Sequence, residues 1–414
     1  FFFRSWRPES VPTGAMALGK YATFCAVLWT TLFSQHFGSA SECGLSTHTL
    51  TIDEQERTYH TYIPIQVCDN PDDFVPLVMA LHCFGGKAKG EQDKFMPVAD
   101  AYGFVLVTPE GFGSQQSWNG RYCCGDALSQ GLDDLSFLEQ VVHMTTSMVN
   151  ISQDSVYVTG FSNGGFMSSF LVSSGKRWVR GFAPMAGHVF KYLKPARPTA
   201  IYMHHSTTDK MVNYNGCCRD QHCCCGIHTK TCVSVPHIFE KWLDLNQCNG
   251  SHMFDLVEGE DGISCWTGVA CAANTTFCAH RNVVHGVWSH MFPMVIQVGE
   301  FFVRDTCVQH GTWHHNSCRC HHGWTGRHCT VRQDRTTQPF VMTLSRPRPR
   351  ARATAPEEPD DGPNPFIYNK GELSQKHMFM LLVLVLTGLV CALVYTYTAH
   401  PVRRAIPSAV ERSN

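Results

Sequence analysis

Val156-Tyr157-Val158-Thr159-Gly160-Phe161-Ser162-Asn163-Gly164-Gly165-Phe166-Met167-Ser168-Ser169-Phe170-Leu171-Val172 is the stretch on which the reading of this chain turns. Its first four residues form a short apolar run of the kind found in strands buried on both faces. Gly160 to Gly164 then spells G-x-S-x-G, and the apolar segment Phe166 to Val172 continues as a helix. A serine placed there sits on a sharp strand-to-helix turn. Small neighbours let the backbone bend and let a substrate approach, while the helix aims its first amides at a developing oxyanion. The frame on both sides makes Ser162 a candidate nucleophile and not an ordinary glycine turn.

Working outward, Pro76 to Leu81, Phe104 to Thr108 and Ala200 to Met203 are further short apolar runs bounded by turn residues, and each reads as a buried parallel strand. Between them, Leu132 to Met148 carries Leu135, Leu138, Val141 and Val142 at helical spacing behind the acidic pair Asp133 and Asp134, a first-turn signal. Strands that alternate with helices give an α/β sheet. A serine nucleophile needs a base and an acid to orient it, and in this class of fold they follow in the order serine, acid, histidine. Asp209 closes the strand that starts at Ala200, and His285 and His290 both stand near the end of the region. With 23 histidines in the chain, residue type alone does not choose between those two.

Seven segments in this order carry a specific likeness: ERTYHTYIP (56–64), LHCFGG (81–86), SWNGRYCCGDA (117–127), DDLSFL (133–138), GFSNGG (160–165), HSTTDKMVNYNG (205–216) and SHMFP (289–293). From about Leu45 to Pro293 the chain resembles the α/β-hydrolase esterase family of polyhydroxybutyrate depolymerases, feruloyl esterases and acetylxylan esterases. That resemblance implies Ser162 as nucleophile, Asp209 as the orienting acid and His290 as base, the last by an H-x-aromatic-P match. It implies oxyanion donors at the backbone of Asn163 and at Cys83 or Phe84, an acyl-enzyme route, and no metal or organic cofactor. Cys83 and Ser206 stand where the family has glycine, and Phe292 where it has tryptophan. The ester class expected is feruloyl or acetyl on cell-wall polysaccharide, with polyhydroxyalkanoate as the alternative. Trp118, Tyr122, Trp288 and Phe292 are aromatics near the site motifs that fit either stacking on a phenolic acyl group or packing in the core. The rival from another class is an inactive cell-surface adhesion protein.

The chain of 414 residues has 33 Lys and Arg against 34 Asp and Glu, a net charge of −1, and lacks the basic footprint of a nucleic-acid binder. Lys20, the apolar run Tyr21 to Phe33 and the small residues Gly38 to Ser41 read as a secretory signal peptide over 16–40, with residues 1–15 outside the fold. Met378 to Ala399 is uncharged and, at 1.5 Å per residue, about 33 Å long as a helix, which fits a transmembrane anchor with a cytoplasmic tail at 400–414. The catalytic part is then extracellular or lumenal. Of 21 cysteines, Cys25 and Cys391 fall in those two segments, leaving 19 in the exported part, where bridges are favoured over a zinc cluster among Cys217 to Cys232. The odd count leaves at least one thiol free or bonded to another chain. Sequons at Asn150, Asn249 and Asn274 agree with export.

The hydrolase domain is expected over 43–304. After it, Cys307 to Cys329 ends in C-x-C-x2-G-W-x-G-x2-C and resembles an EGF-like module (305–330), with Trp313 where the third cysteine would stand and no cysteine in the first position. The resemblance implies the pairs Cys307–Cys318 and Cys320–Cys329 and a partner-binding or spacer role, without the calcium pattern. From Val331 to Lys376 prolines and charges replace apolar periodicity, as in a disordered stalk.

Overall fold

A computed structural model describes residues 43–121, 123–188, 194–216, 233–259, 262–285 and 292–333. The expected signal peptide, membrane helix, tail, all but the start of the stalk and the Cys217–Cys232 cluster lie outside the described residues. Among the described residues no helix is long and apolar enough to cross a membrane.

Ten strands form one sheet: β1 (Gly44–Ile52), β2 (Gln55–Ile63), β3 (Val75–Leu81), β4 (Val105–Pro109), β5 (Ile151–Phe161), β6 (Gly181–Met185), β7 (Ala200–Ser206), β8 (Ser251–Val257), β9 (Ile263–Gly268) and β10 (Thr275–His280). Their order across the sheet is β1-β2-β4-β3-β5-β6-β7-β10-β9-β8. The six inner strands from β4 to β10 run parallel, and each edge is finished by an antiparallel hairpin, β1–β2 and β8–β9. Parallel neighbours require a crossover, and the helices that supply it cover both faces. These are α1 (Ile65–Cys68), α2 (Ala88–Tyr102), α3 (Gly125–Ser129), α4 (Asp134–Met148), α5 (Asn163–Ser173), α6 (Val235–Leu245) and α7 (Phe292–Cys307).

The pleat sorts the side chains into two cores. On β3, Leu77, Met79 and Leu81 join Phe137 and Val141 of α4, Leu171 of α5 and Trp242 of α6, whereas Val78 and Ala80 join Phe95 of α2 and Val298 and Phe302 of α7. Every β3 residue is buried, which is why its sequence reads as a continuous apolar run without alternation. The acidic start expected for α4 is present: the Asp133 carboxylate accepts the Ser136 N–H at 3.0 Å and caps the helix. β6 has no counterpart among the runs expected from sequence. Its GFAPM mixes glycine and proline into a strand that is buried throughout.

α7 runs through residue 304 to Cys307, so the C-terminal module begins on a helix of the hydrolase and not after it. The module is two small hairpins, β11 (Gly311–His314) with β12 (Ser317–Cys320) and β13 (Trp324–Thr325) with β14 (Val331–Arg332). Cys307–Cys318 and Cys320–Cys329 are bonded, at S–S distances of 1.96 and 2.01 Å. The module packs on the sheet domain: Trp313 Nε1–H reaches Glu300 of α7 at 3.3 Å, His328 Nε2–H reaches Gly103 O at 3.1 Å, and Thr330 Oγ1–H reaches Phe74 O. Four more bridges, Cys43–Cys68, Cys123–Cys124, Cys248–Cys271 and Cys265–Cys278, lie in the sheet domain. Among the described residues Cys83 alone is a free thiol.

Candidate active site

β5 ends at Phe161 and α5 starts at Asn163, leaving Ser162 alone on the turn with φ 53° and ψ −113°, a conformation side chains rarely adopt. The turn closes because its glycines have no Cβ. A Cβ on Gly160 would stand 2.4 Å from the Gly164 carbonyl, and one on Gly164 would stand 2.2 Å from Leu81 O. The Ser162 N–H donates to Met185 O at 2.8 Å, so the missed strand β6 holds the elbow from the side.

Asp209 follows β7, the neighbour of β6. Its Oδ1 accepts the Met211 and Val212 amides at 2.8 and 2.9 Å, and its Oδ2 accepts His285 Nδ1–H at 2.7 Å. The opposite ring nitrogen, His285 Nε2, lies 2.9 Å from Ser162 Oγ. All three side chains are buried, with 3% of Asp209, 5% of Ser162 and 9% of His285 exposed, so little water competes for these bonds. Burial alone would push the Asp209 carboxyl up. The His285 hydrogen bond, the electrostatic pull of the His205 and His285 rings and the Val212 amide outweigh it, and the carboxyl sits below its ordinary range. An ionised Asp209 fixes the Nδ1–H tautomer of His285 and leaves Nε2 free to take a proton from Ser162.

His285 thus occupies the place that the motif match assigned to His290. His290, Tyr122 and Trp288 lie outside the described residues, as does the side chain of Phe292. His285 follows β10 after a short loop and is the histidine that the described residues bring to both Asp209 and Ser162.

Of the other expected site residues, Asn163 opens α5, where first-turn amides have no partner within the helix. Among the described residues the amides of Asn163, Cys83 and Phe84 donate no backbone hydrogen bond. Cys83 and Phe84 follow β3 on the adjacent loop, where His82 holds the chain by donating Nδ1–H to Cys83 O and accepting the Gly111 amide at Nε2, each at 2.8 Å. Burial raises the Cys83 thiol above its usual pKa, so it stays protonated at neutral pH. Trp118 is not a stacking platform for substrate. It is wholly buried, with its Nε1–H on His82 O at 3.0 Å.

His205 was in the matched motif but had no role there. Val212 O only accepts, so His205 Nε2 carries hydrogen at 2.7 Å from it, its Nδ1 accepts, and His188 Nε2–H donates to that Nδ1 at 2.9 Å. The pair pins the loop whose amides hold Asp209. No group of three His, Cys, Asp or Glu side chains among the described residues could hold a metal ion.

By this strand order and this elbow the fold is the α/β-hydrolase arrangement: a mostly parallel sheet whose serine sits between a central strand and the next helix. The bifunctional acetylxylan esterase/xylanase of Neocallimastix patriciarum is 30% identical over 161 residues, 38% of this chain and 22% of that protein. Feruloyl esterase B of Piromyces equi is 30% identical over 143 residues, 33% of this chain and 25% of its own. The chain resembles these esterases. Poly(3-hydroxyalkanoate) depolymerase C of Paucimonas lemoignei is 31% identical over 123 residues, 28% of each chain. The chain therefore spans about a quarter of the length of these curated relatives. A solved feruloyl esterase module from Clostridium thermocellum, complexed with sinapinate, aligns with 66% of this chain and 91% of its own at 12% identity and a TM-score of 0.41. Residues 303–332 match the family model described as a teneurin-like EGF domain, which starts inside α7.

Proposed function

We propose that this protein is a serine carboxylic-ester hydrolase, exported and held at a membrane, that acts on feruloyl or acetyl esters of cell-wall polysaccharide. The observation that carries the reading is the single buried line from Asp209 through His285 to Ser162, at 2.7 and 2.9 Å. An inactive adhesion protein would have no need to keep that line. His285 Nε2 takes the Ser162 proton as Oγ attacks the ester carbonyl, and Asp209 steadies the imidazolium that forms. The oxyanion falls toward the Asn163 amide and one from Cys83 or Phe84; loss of such a donor typically costs about 3 to 4 kcal/mol in the barrier. The protonated His285 then returns its proton to the leaving alcohol, and water activated by the same ring clears the acyl group.

Six bridges among the described residues favour an oxidising compartment, in keeping with export. The names of the curated relatives support acetyl and feruloyl substrates. The test is turnover of 4-nitrophenyl acetate, methyl ferulate, acetylated xylan and poly(3-hydroxybutyrate) by the full chain made in a secretory host, with fluorophosphonate labelling alongside. Turnover of the xylan or ferulate above the polyhydroxybutyrate is expected. Absence of both turnover and labelling would overturn the hydrolase reading, and preference for the polyester would overturn the substrate class.

A further inference from the structure

The two sides of the oxyanion site come from segments far apart in sequence, the elbow at Asn163 and the loop at Cys83 and Phe84, and one element touches both. Trp118 donates its indole N–H to His82 O at 3.0 Å and its backbone N–H to Asn163 Oδ1 at 2.7 Å. The Asn163 amide returns both of its hydrogens to the same loop, to Trp118 O at 3.0 Å and Cys123 O at 2.9 Å. The one acceptor and two donors of that side chain are thus committed to residues 118 and 123. Trp118, Cys123 and Asn163 are all fully buried, so each of these bonds lies in a low dielectric where leaving one unmade is costly.

The loop is itself closed at both ends. Phe112 and Ser117 exchange backbone hydrogen bonds at 2.9 Å each way, Gly120 N–H donates to Cys123 O at 3.0 Å, and Asn119 is tied to Asp134 and Leu132. Neighbouring Cys123 and Cys124 are joined to each other, which locks the residue whose carbonyl holds Asn163 into one small ring. Core packing alone would account for a buried indole. It would not account for an indole, a backbone amide and two carbonyls all spent on the two segments that flank one site.

We propose that Ser117 to Arg121 together with Cys123 and Cys124 form a positioning clamp for the oxyanion site: Trp118 sets the spacing between the Asn163 amide and the Cys83–Phe84 loop, and the Cys123–Cys124 ring fixes the carbonyl from which the Asn163 side chain hangs. The inference rests on the esterase reading above. An oxyanion donor works within a narrow range of distance, so a displaced amide weakens transition-state binding more than substrate binding and the defect falls on kcat.

The experiment compares the full chain with Trp118→Phe, which removes the indole donor, with Cys123→Ala/Cys124→Ala, which opens the ring, and with Trp313→Phe in the module as a matched control. On 4-nitrophenyl acetate, Trp118→Phe is expected to lower kcat about tenfold or more with KM within about twofold, and to slow fluorophosphonate labelling by the same factor. The ring-opened variant is expected to show the same split to a smaller degree, and Trp313→Phe to match the wild type. A fall in melting temperature with kcat and labelling unchanged in the first two variants would reduce the loop to packing and overturn the clamp. Should Trp118→Phe not fold, the ring-opened variant decides by the same readout. If the wild type neither turns over nor labels, the hydrolase reading itself fails and the clamp falls with it.

Discussion

The sharpest physical expectation concerns acid. Six buried histidines, His82, His188, His204, His205, His280 and His328, are held neutral chiefly because burial penalises the charged ring. His205 and His280 are lowered to about 4 and His328 to about 3, against an unfolded value near 6.5. Below about pH 6.5 the unfolded chain therefore binds protons that the folded chain refuses. The stability these rings contribute is complete above that pH and drains away as pH falls toward the folded values. At pH 5, still above all three folded values, each ring costs about 1.36 kcal/mol for each pH unit below 6.5, or about 2 kcal/mol. His205, His280 and His328 together cost about 6 kcal/mol, comparable with the whole stability of an ordinary domain. Glu91 and Asp134 oppose this, since burial raises their carboxyls and folding then takes up protons in acid.

The opposing carboxyls cancel when a variant is compared with the wild type over the same interval. His328→Gln is the clean choice: an amide can still donate to Gly103 O, and it does not titrate. Denaturant unfolding of the full chain at pH 7.5 and pH 5 should show the variant losing about 2 kcal/mol less than the wild type between the two. The wild-type melting temperature should fall by roughly 10 °C or more. Equal acid losses in variant and wild type would refute the assignment of His328 as a buried neutral ring, and with it the reasoning for the other five.

Ser162→Ala should leave the fold intact and abolish fluorophosphonate labelling; labelling that persists would mean another nucleophile. His285→Asn should lower kcat by about 10³-fold or more while His290→Asn retains turnover within a few fold, and the reverse result would restore the motif match. Asp209→Asn should cost about 10⁴-fold in kcat with KM little changed, because the amide leaves His285 free to take the wrong tautomer; a loss below tenfold would remove Asp209 from the line. Cys307→Ser with Cys318→Ser should loosen the module, read as faster proteolysis after α7, yet keep turnover on 4-nitrophenyl acetate. Loss of turnover there would mean that the module shapes the site.

Much of the architecture was legible because burial leaves a mark on composition. β3, β4 and β7 are buried on both faces and show as apolar runs, the one in β7 ending at Met203 before its two histidines, and the Asp133 cap announces α4. β6 was not legible, since Gly181 and Pro184 break the pattern and its burial comes from neighbours on both sides. The module starts inside a helix for a related reason. α7 is amphipathic to its end at Cys307, and only the bridge to Cys318 makes its last turn part of two units at once.

The site divides along the same line between local and non-local causes. Ser162 was legible because its requirement is local, two glycines and a strand-to-helix turn within a few residues. The choice between His285 and His290 was not, because nothing local distinguishes them; what brings His285 to Asp209 is the reach from the end of β10 to a carboxylate after β7, set by the pairing of those two strands. Trp118, which the sequence left between stacking and core packing, shows the same limit in reverse. An aromatic near a catalytic motif invites a role against substrate, yet its indole hydrogen is already given to His82 O and its backbone to Asn163. A buried donor with a good partner is not available to a ligand without losing that bond, and the loss, about 1 to 3 kcal/mol for a stranded buried partner, exceeds what one ring stack returns. The hydrogen-bond inventory therefore decides the role of Trp118, and it places the residue behind the site and not in it.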